Sequence, residues 1–576
     1  MNDPTTFSLH FWDYLAFGLY FVLLSAIGFW AGRKEKTNTS EYFLAGRTLP
    51  WYVVGSSFIA ANISTEHFIA MIGAAFVYGI CVATPEWSSI IAFSFLIWIF
   101  IPFLLTSKVY TTPEFLEKRF NSTIRTFFAG VTILANIVAF LAGVLYGGGL
   151  AMNALFGWNI WLTVIVLGIA AGGWAIYGGL KSVAWMDVLT IIIKVSGGLM
   201  ITVLGLYALS GDSHSLIQGF KVMIERNQGK SGVWMEAISR NIHHMVDADT
   251  YNRLSVIQPL THMVIPWSHW VLSFFYVGLW YTVINQFMVQ RVLAAKNIYH
   301  ARMGIVFAGY LKLLLPFMVV VPGLILFAMK PEVMLMDWPK IRPEADKTYV
   351  VMLQMLVPIG LRGIFLAALF GAVQSTVSAV LNATATVFTI DFYKRLINKE
   401  ASDKSQVKVG VWSTTIFLII SIVLAGFISE LHGSLFVYIQ TLTNFFAPPF
   451  SAVFLLGSLW RRINGKGAAV AIFSGFALGI GIKIFIESAA APPTWILPYA
   501  NQGVIMWAFC MIVCTVVSLL TEPPPPEQVT DDLTFNWKKM NIGGGLGDRW
   551  YKNVTFWWSI SVVLMFGFII LFGWIL

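Results

Sequence analysis

Apolar runs of about 18 residues or more recur from one end of the chain to the other, each long enough to cross a bilayer as a helix. Lipid offers the backbone no hydrogen-bond partner, so a chain built of such runs must satisfy its own amides and carbonyls within each segment. Only 11% of the 576 residues are charged, against about 25% in an ordinary soluble protein. The chain reads as an all-α polytopic membrane protein. About fourteen spans are expected, at 11–31, 51–79, 82–105, 125–150, 159–178, 185–210, 263–290, 303–330, 361–391, 408–428, 433–460, 467–487, 502–521 and 555–576. The first residues, through Leu15, carry neither a basic region nor a small-residue cleavage site, so the first run is expected to remain as a span.

The net charge of +9 invites a nucleic-acid reading, but the placement of Lys and Arg argues against it. They gather in alternate short connections, at 33–47, near Lys118 and Arg119, at 291–302, at 393–408 and at 461–466, while 151–158 and 488–501 carry none. Basic loops stay on the cytoplasmic side, which places both termini outside. The expected location is the plasma membrane, or the inner membrane in a bacterium. Cys81, Cys510 and Cys514 all lie in apolar runs and read as buried free thiols. The Pro-rich stretch from 522 reads as the start of a cytoplasmic linker, 522–554.

Inside the second apolar run sits a polar block, Ala-Ala-Asn-Ile-Ser-Thr-Glu-His at 60–67. Such a block must face protein or a watery cavity, and broken helices at mid-membrane are how many secondary transporters expose carbonyls to an ion. Two interrupted spans, 51–79 and 263–290, each open a block of about five spans, the layout of a five-plus-five inverted repeat. No nucleotide-cradling G-x-x-x-x-G-K-[ST] occurs, nor H-E-x-x-H, so ATP-driven transport and zinc hydrolysis have no support. Glu66, His67, Glu86, Asp187, Lys194, Lys312 and Gln440 lie in or at the ends of apolar stretches. Each alone could serve as a hydrogen bond between helices; together they favour a polar cavity. The hydroxyl-rich stretch 374–386 could tie back to its own helix. Alternatively, hydroxyls at 375–376 facing unwound carbonyls at 60–63 would suit a hard cation such as sodium.

Several longer segments carry a resemblance. EYFLAGRTLPWYVVGSSFIAANIS (41–64), YTTPEFLEKRFN (110–121), NQFMVQRVLAAKN (285–297), LNATATVFTIDFY (381–393) and FAPPFSAVFLLGSLW (446–460) resemble the sodium/solute symporter family, most closely its sodium/sugar branch. The likeness runs to about residue 485. It implies a LeuT-like core of two inverted five-helix repeats, 51–210 and 263–460, within a single membrane domain, 1–576. One extra span, 11–31, would precede the core, and three peripheral spans would follow in 467–576. Sodium as coupling ion would be held by the carbonyls of Ala60, Ile63 and Ala372 and the hydroxyls of Ser375 and Thr376.

For the sugar, the resemblance implies Asn62, His67, Glu86, Ser89, Tyr281, Lys312 and Gln440, with Tyr281 as inner gate and Phe436 as outer gate. Carboxylate, amide and ammonium groups suit a polyol's hydroxyls. Pro85, Phe140, Gly278 and Thr282 depart from the galactose-transporting pattern, and His67 stands where that pattern has Gln. Asp187 matches a family acid and is expected on the sodium exit path. Lys194, where the family is usually apolar, lies seven residues further on, about 10.5 Å along the same helix face. It is expected either to occupy the neighbourhood of a second sodium, or to pair with Asp187 or reach for an interface. The expected function is sodium-coupled import of a neutral sugar, a hexose or related polyol, by alternating access with no enzymatic step. The alternatives are symport of another solute, such as sialic acid, myo-inositol or a carboxylate, or a non-transporting sugar sensor.

Overall fold

The computed structural model describes residues 9–33, 38–107, 109–247, 251–428, 435–536, 538 and 543–575. Among them the architecture is entirely helical, with a single β-bridge between Leu49 and Ala295. Among the described residues eleven helices are long and apolar enough to cross a membrane, or twelve when the bent pair Trp267–Ile284 and Gln286–Leu293 is taken as one span. The fourteen intervals read from the sequence divide the chain differently. Ile160–Leu209 covers 50 residues but is two helices joined at a kink, too many residues for one crossing of a hydrocarbon core of about 30 Å. It is interrupted only at Gly179, whose φ of 57° is open to glycine. Likewise 66–105 runs through a tight turn at 79–83, whereas Trp51–Asn62 is too short to count alone.

The break in the second apolar run has a local cause. Helix Trp51–Asn62 ends where Ile63 turns to extended geometry, φ −77° and ψ 95°. The Ser64 amide then donates to His67 Nδ1 at 3.3 Å, and the Glu66 amide to Ser64 Oγ at 3.1 Å. Those amides are thereby lost to the carbonyls four residues back, and the helix resumes with a π-helical turn over Glu66–Met71. At its far end, helix Ile72–Tyr78 is closed by Arg253, whose guanidinium binds the carbonyls of Phe76 at 2.6 Å and Val77 at 2.5 Å. Gly79 (φ 81°) presses on the Arg253 carbonyl, and a Cβ there would come within 2.2 Å of it.

The connection 211–262 contains two helices, Leu216–Gln228 and Gly232–Met245. Helix Thr348–Leu356 is not superficial: Tyr349, Val350, Met352 and Leu353 are buried. Its apolar side packs on the broken helix, with the Phe68 and Tyr349 rings 5.6 Å apart.

The family-like segments meet in one polar knot. Gln290 Nε2 donates to the Phe43 carbonyl, to Asn382 and to Thr386 at 2.5, 3.0 and 3.1 Å. Gln286 accepts from the Thr112 amide at 3.0 Å and donates to the Tyr110 carbonyl at 3.0 Å. Asp391 receives Thr111 and Arg125. Buried polar groups are costly without partners, and here each segment supplies the partner of another.

Candidate functional site

Two sites share the break at 60–67. The first is a fully buried pocket beneath it, where Ala60, Ile63 and Ser375 are sealed from solvent. Helix Arg362–Val387 brings its hydroxyls to the freed carbonyls: Ser375 Oγ donates to the Ala60 carbonyl at 2.7 Å, and Thr376 Oγ1 to the Ala61 carbonyl at 2.9 Å. Ala372 lies one turn earlier on the same helix, also fully buried. Into this pocket comes Lys194, 0% exposed, whose Nζ donates to the carbonyls of Ala60 at 2.8 Å and Ile63 at 2.6 Å and to Ser375 Oγ at 2.6 Å. Three of the five residues expected to hold sodium therefore hold an ammonium. Thr376 is turned to Ala61 instead.

Lys194 does not form the expected pair with Asp187. The Asp187 carboxylate accepts from Ser57 Oγ at 2.6 Å and stands 3.9 Å from the Arg291 guanidinium. Arg291 also donates to the Ser57 carbonyl and hydroxyl, at 3.1 and 2.8 Å. Asp187, Ser57 and Arg291 thus form a separate buried cluster, one helical segment from the pocket.

The second site is a cavity on the other side of the break. Asn62, His67, Glu86, Ser89, Tyr281, Lys312 and Gln440 all line it, contributed by six helical elements. Glu86 is its electrostatic centre: Lys312 Nζ forms a direct ion pair with one carboxylate oxygen, and His67 Nε2 lies 3.6 Å from the other. Asn62 donates to the Tyr281 hydroxyl at 2.8 Å, so the residue expected to gate the cavity is latched to the break itself. Ser89 turns its hydroxyl to its own helix, donating to the Pro85 carbonyl at 2.6 Å. Phe436 is fully buried and lies outside the lining.

Sequence reasoning left Glu66 without a role. It lines the same cavity, accepting from Gln440 Nε2 at 3.1 Å. His269 and Ser273, which the sequence reading passed over, line it too; a histidine in an apolar span was the available signal. The five departures from the galactose pattern, His67, Pro85, Phe140, Gly278 and Thr282, are all wall residues. Phe140 packs against the Tyr281 and Phe287 rings at 6.1 and 5.3 Å, giving that wall an aromatic face. Behind Glu86, Trp87 points away from the cavity. Its indole donates to the Leu313 carbonyl at 3.2 Å and stacks on Phe568 and Phe572 of the last helical segment, at 5.4 and 5.5 Å.

A polytopic helical protein with a broken helix, freed carbonyls at mid-span and a polar cavity beside them has the build of a membrane transporter. The chain belongs to the sodium:solute symporter family, whose model matches residues 42–475. Membership implies sodium as the coupling ion. A sodium/glucose cotransporter from Vibrio parahaemolyticus is 33% identical over 550 residues, covering 93% of this chain and 96% of the relative. A sodium/myo-inositol cotransporter from Canis lupus familiaris is 33% identical over 559 residues, covering 92% and 76%. Among solved structures, the substrate-bound, outward-open state of a Na+-coupled sialic acid symporter aligns with a TM-score of 0.69 at 19% identity, over 90% of this chain and 99% of that one. It shows the shared LeuT-like fold.

Proposed function

We propose that the protein imports a neutral hexose or a related polyol together with sodium, by alternating access. The observation that carries this reading is the Glu86 cluster. Its carboxylate is matched by Lys312, with His67 beside it, and the remaining lining offers amides, hydroxyls and a second carboxylate, Glu66. A cavity with two carboxylates against one lysine does not favour an anionic solute, whereas hydroxyls can be read by every one of these groups. The similarity to glucose and myo-inositol cotransporters supports the same class.

In this reading the solute meets Asn62, His67, Glu86, Tyr281, Lys312 and Gln440, with Tyr281 as inner gate. Ser89 would have to release Pro85 to contribute. The two overlong helices each cross twice, at Gly179 and at 79–83, and the broken helices count once each, which gives fourteen crossings with both termini outside. The first repeat occupies 51–210 and the second 263–460. Because Asn62 holds Tyr281, ordering the break orders the gate, which links ion and solute through a shared conformation.

Uptake into proteoliposomes of radiolabelled glucose, galactose, myo-inositol and sialic acid, in sodium against choline, tests the reading. At least one neutral solute should accumulate in sodium only. Accumulation of sialic acid alone would overturn the assignment of the class, and binding without accumulation would mark a sensor.

A further inference from the structure

The pocket beneath the break contains a cation supplied by the chain itself. An ammonium has three protons to donate, and Lys194 spends them on the Ala60 carbonyl, the Ile63 carbonyl and Ser375 Oγ, all within 2.8 Å. Lysine is rarely buried without a carboxylate partner, yet the nearest acid on its helix face, Asp187, is engaged with Ser57 and Arg291. What Lys194 has instead is a set of neutral oxygens. Two are carbonyls that the helix break released, and the third is a hydroxyl whose proton goes to Ala60, so that its lone pair faces Nζ. Carbonyl and hydroxyl oxygens converging on one point are the donors a hard metal cation prefers. The pocket is chemically fit for sodium, and its oxygens are already taken.

We propose that Lys194 is a tethered cation that competes with sodium for this pocket. The inference rests on the sodium-coupled reading above. Ion and ammonium exclude one another, because both need the Ala60, Ile63 and Ser375 oxygens and two like charges in a buried pocket repel strongly. Sodium binds when the Lys194 side chain withdraws along helix Ile160–Leu209. In sodium's absence Lys194 keeps the freed carbonyls satisfied, so the break and the residues beyond it stay ordered. The lysine thereby sets the sodium concentration at which the transporter responds, raising it above that of a chain with an apolar residue in its place.

Equilibrium binding of ²²Na⁺ to the purified full chain in nanodiscs, with choline as balancing salt and no solute present, tests this. Lys194→Ala and Lys194→Met should each lower half-saturating sodium by at least about tenfold relative to wild type. Adding Ser375→Ala to either should reverse the gain. Equal or higher half-saturating sodium in monodisperse Lys194→Ala and Lys194→Met would overturn the proposal. The wild-type chain gives an independent reading through reductive methylation of Lys194, followed by mass spectrometry. Labelling should be faster in sodium chloride than in choline chloride, and equal rates would count against competition. Neither measurement involves a sugar, so failed sugar uptake with these results intact would sink the solute assignment and leave this inference standing.

Discussion

The pocket below the break and the cavity beside it share the stretch 60–67, yet they treat charge in opposite ways. In the pocket a lone ammonium is held by neutral oxygens and sealed completely. In the cavity an ammonium is matched to a carboxylate, with a histidine and a second carboxylate nearby, and the walls leave space between them. Neutral oxygens can pass from one cation to another without leaving a bare charge behind. A matched ion pair resists exchange, because removing either member strands the other. The difference teaches that the pocket is built for replacement and the cavity for permanence, with the solute adding to a fixed charge pattern.

Three substitutions would break or sharpen that contrast. The largest effect is expected from Lys312→Met, which leaves Glu86 buried without its partner and should cost about 3–5 kcal/mol. Thermal unfolding in detergent measures it, and the double variant Glu86→Gln with Lys312→Met should recover most of the loss. A single variant as stable as wild type would show that the pair is solvated. Next comes Ser375→Ala, which removes one of three acceptors from Lys194 and should destabilise the chain by about 1–3 kcal/mol in choline. If the pocket is exchangeable, the loss shows as a lower unfolding temperature without a matching loss at Glu86. The smallest effect belongs to Tyr281→Phe, which deletes the acceptor for Asn62 and should cost about 0.5–1.5 kcal/mol. That change is expected to appear in solute uptake, with half-saturating sodium altered less than in Lys194→Ala; the reverse pattern would place the latch on the ion side.

Much of the cavity is legible in the sequence. Charged and amide groups in apolar runs stand out, because lipid tolerates them only where protein receives them, and Glu86, Lys312, Gln440 and His67 do face one space. The break was legible too, since Ser and Asn followed by Glu and His interrupt an apolar helix. The occupant of the pocket was harder to read. A seven-residue spacing pointed Lys194 at Asp187, and only the crossing of helix Ile160–Leu209 over Trp51–Asn62 and Arg362–Val387 turns it to Ala60 and Ser375. Glu66 posed the same difficulty, its partner Gln440 being 374 residues away. Span counting depends on what counts as one helix. Hydropathy divides the chain close to the kink at Gly179 and the tight turn at 79–83, although each lies within a stretch that counts as a single long helix.

The stacking of Trp87 on Phe568 and Phe572 has a mechanical consequence. Glu86 and Trp87 are consecutive on one helix, so the carboxylate at the heart of the solute cavity and the ring gripping the last helical segment turn as one lever. A second tie, Trp558 donating to Ser94 Oγ at 2.8 Å, fixes the same two helices further along. Any rotation of 84–95 must drag 554–575 with it or shear both contacts. The final helix is therefore a pointer fastened to the cavity, and a fluorophore carried on it would report the tilt of Glu86 from the periphery of the molecule.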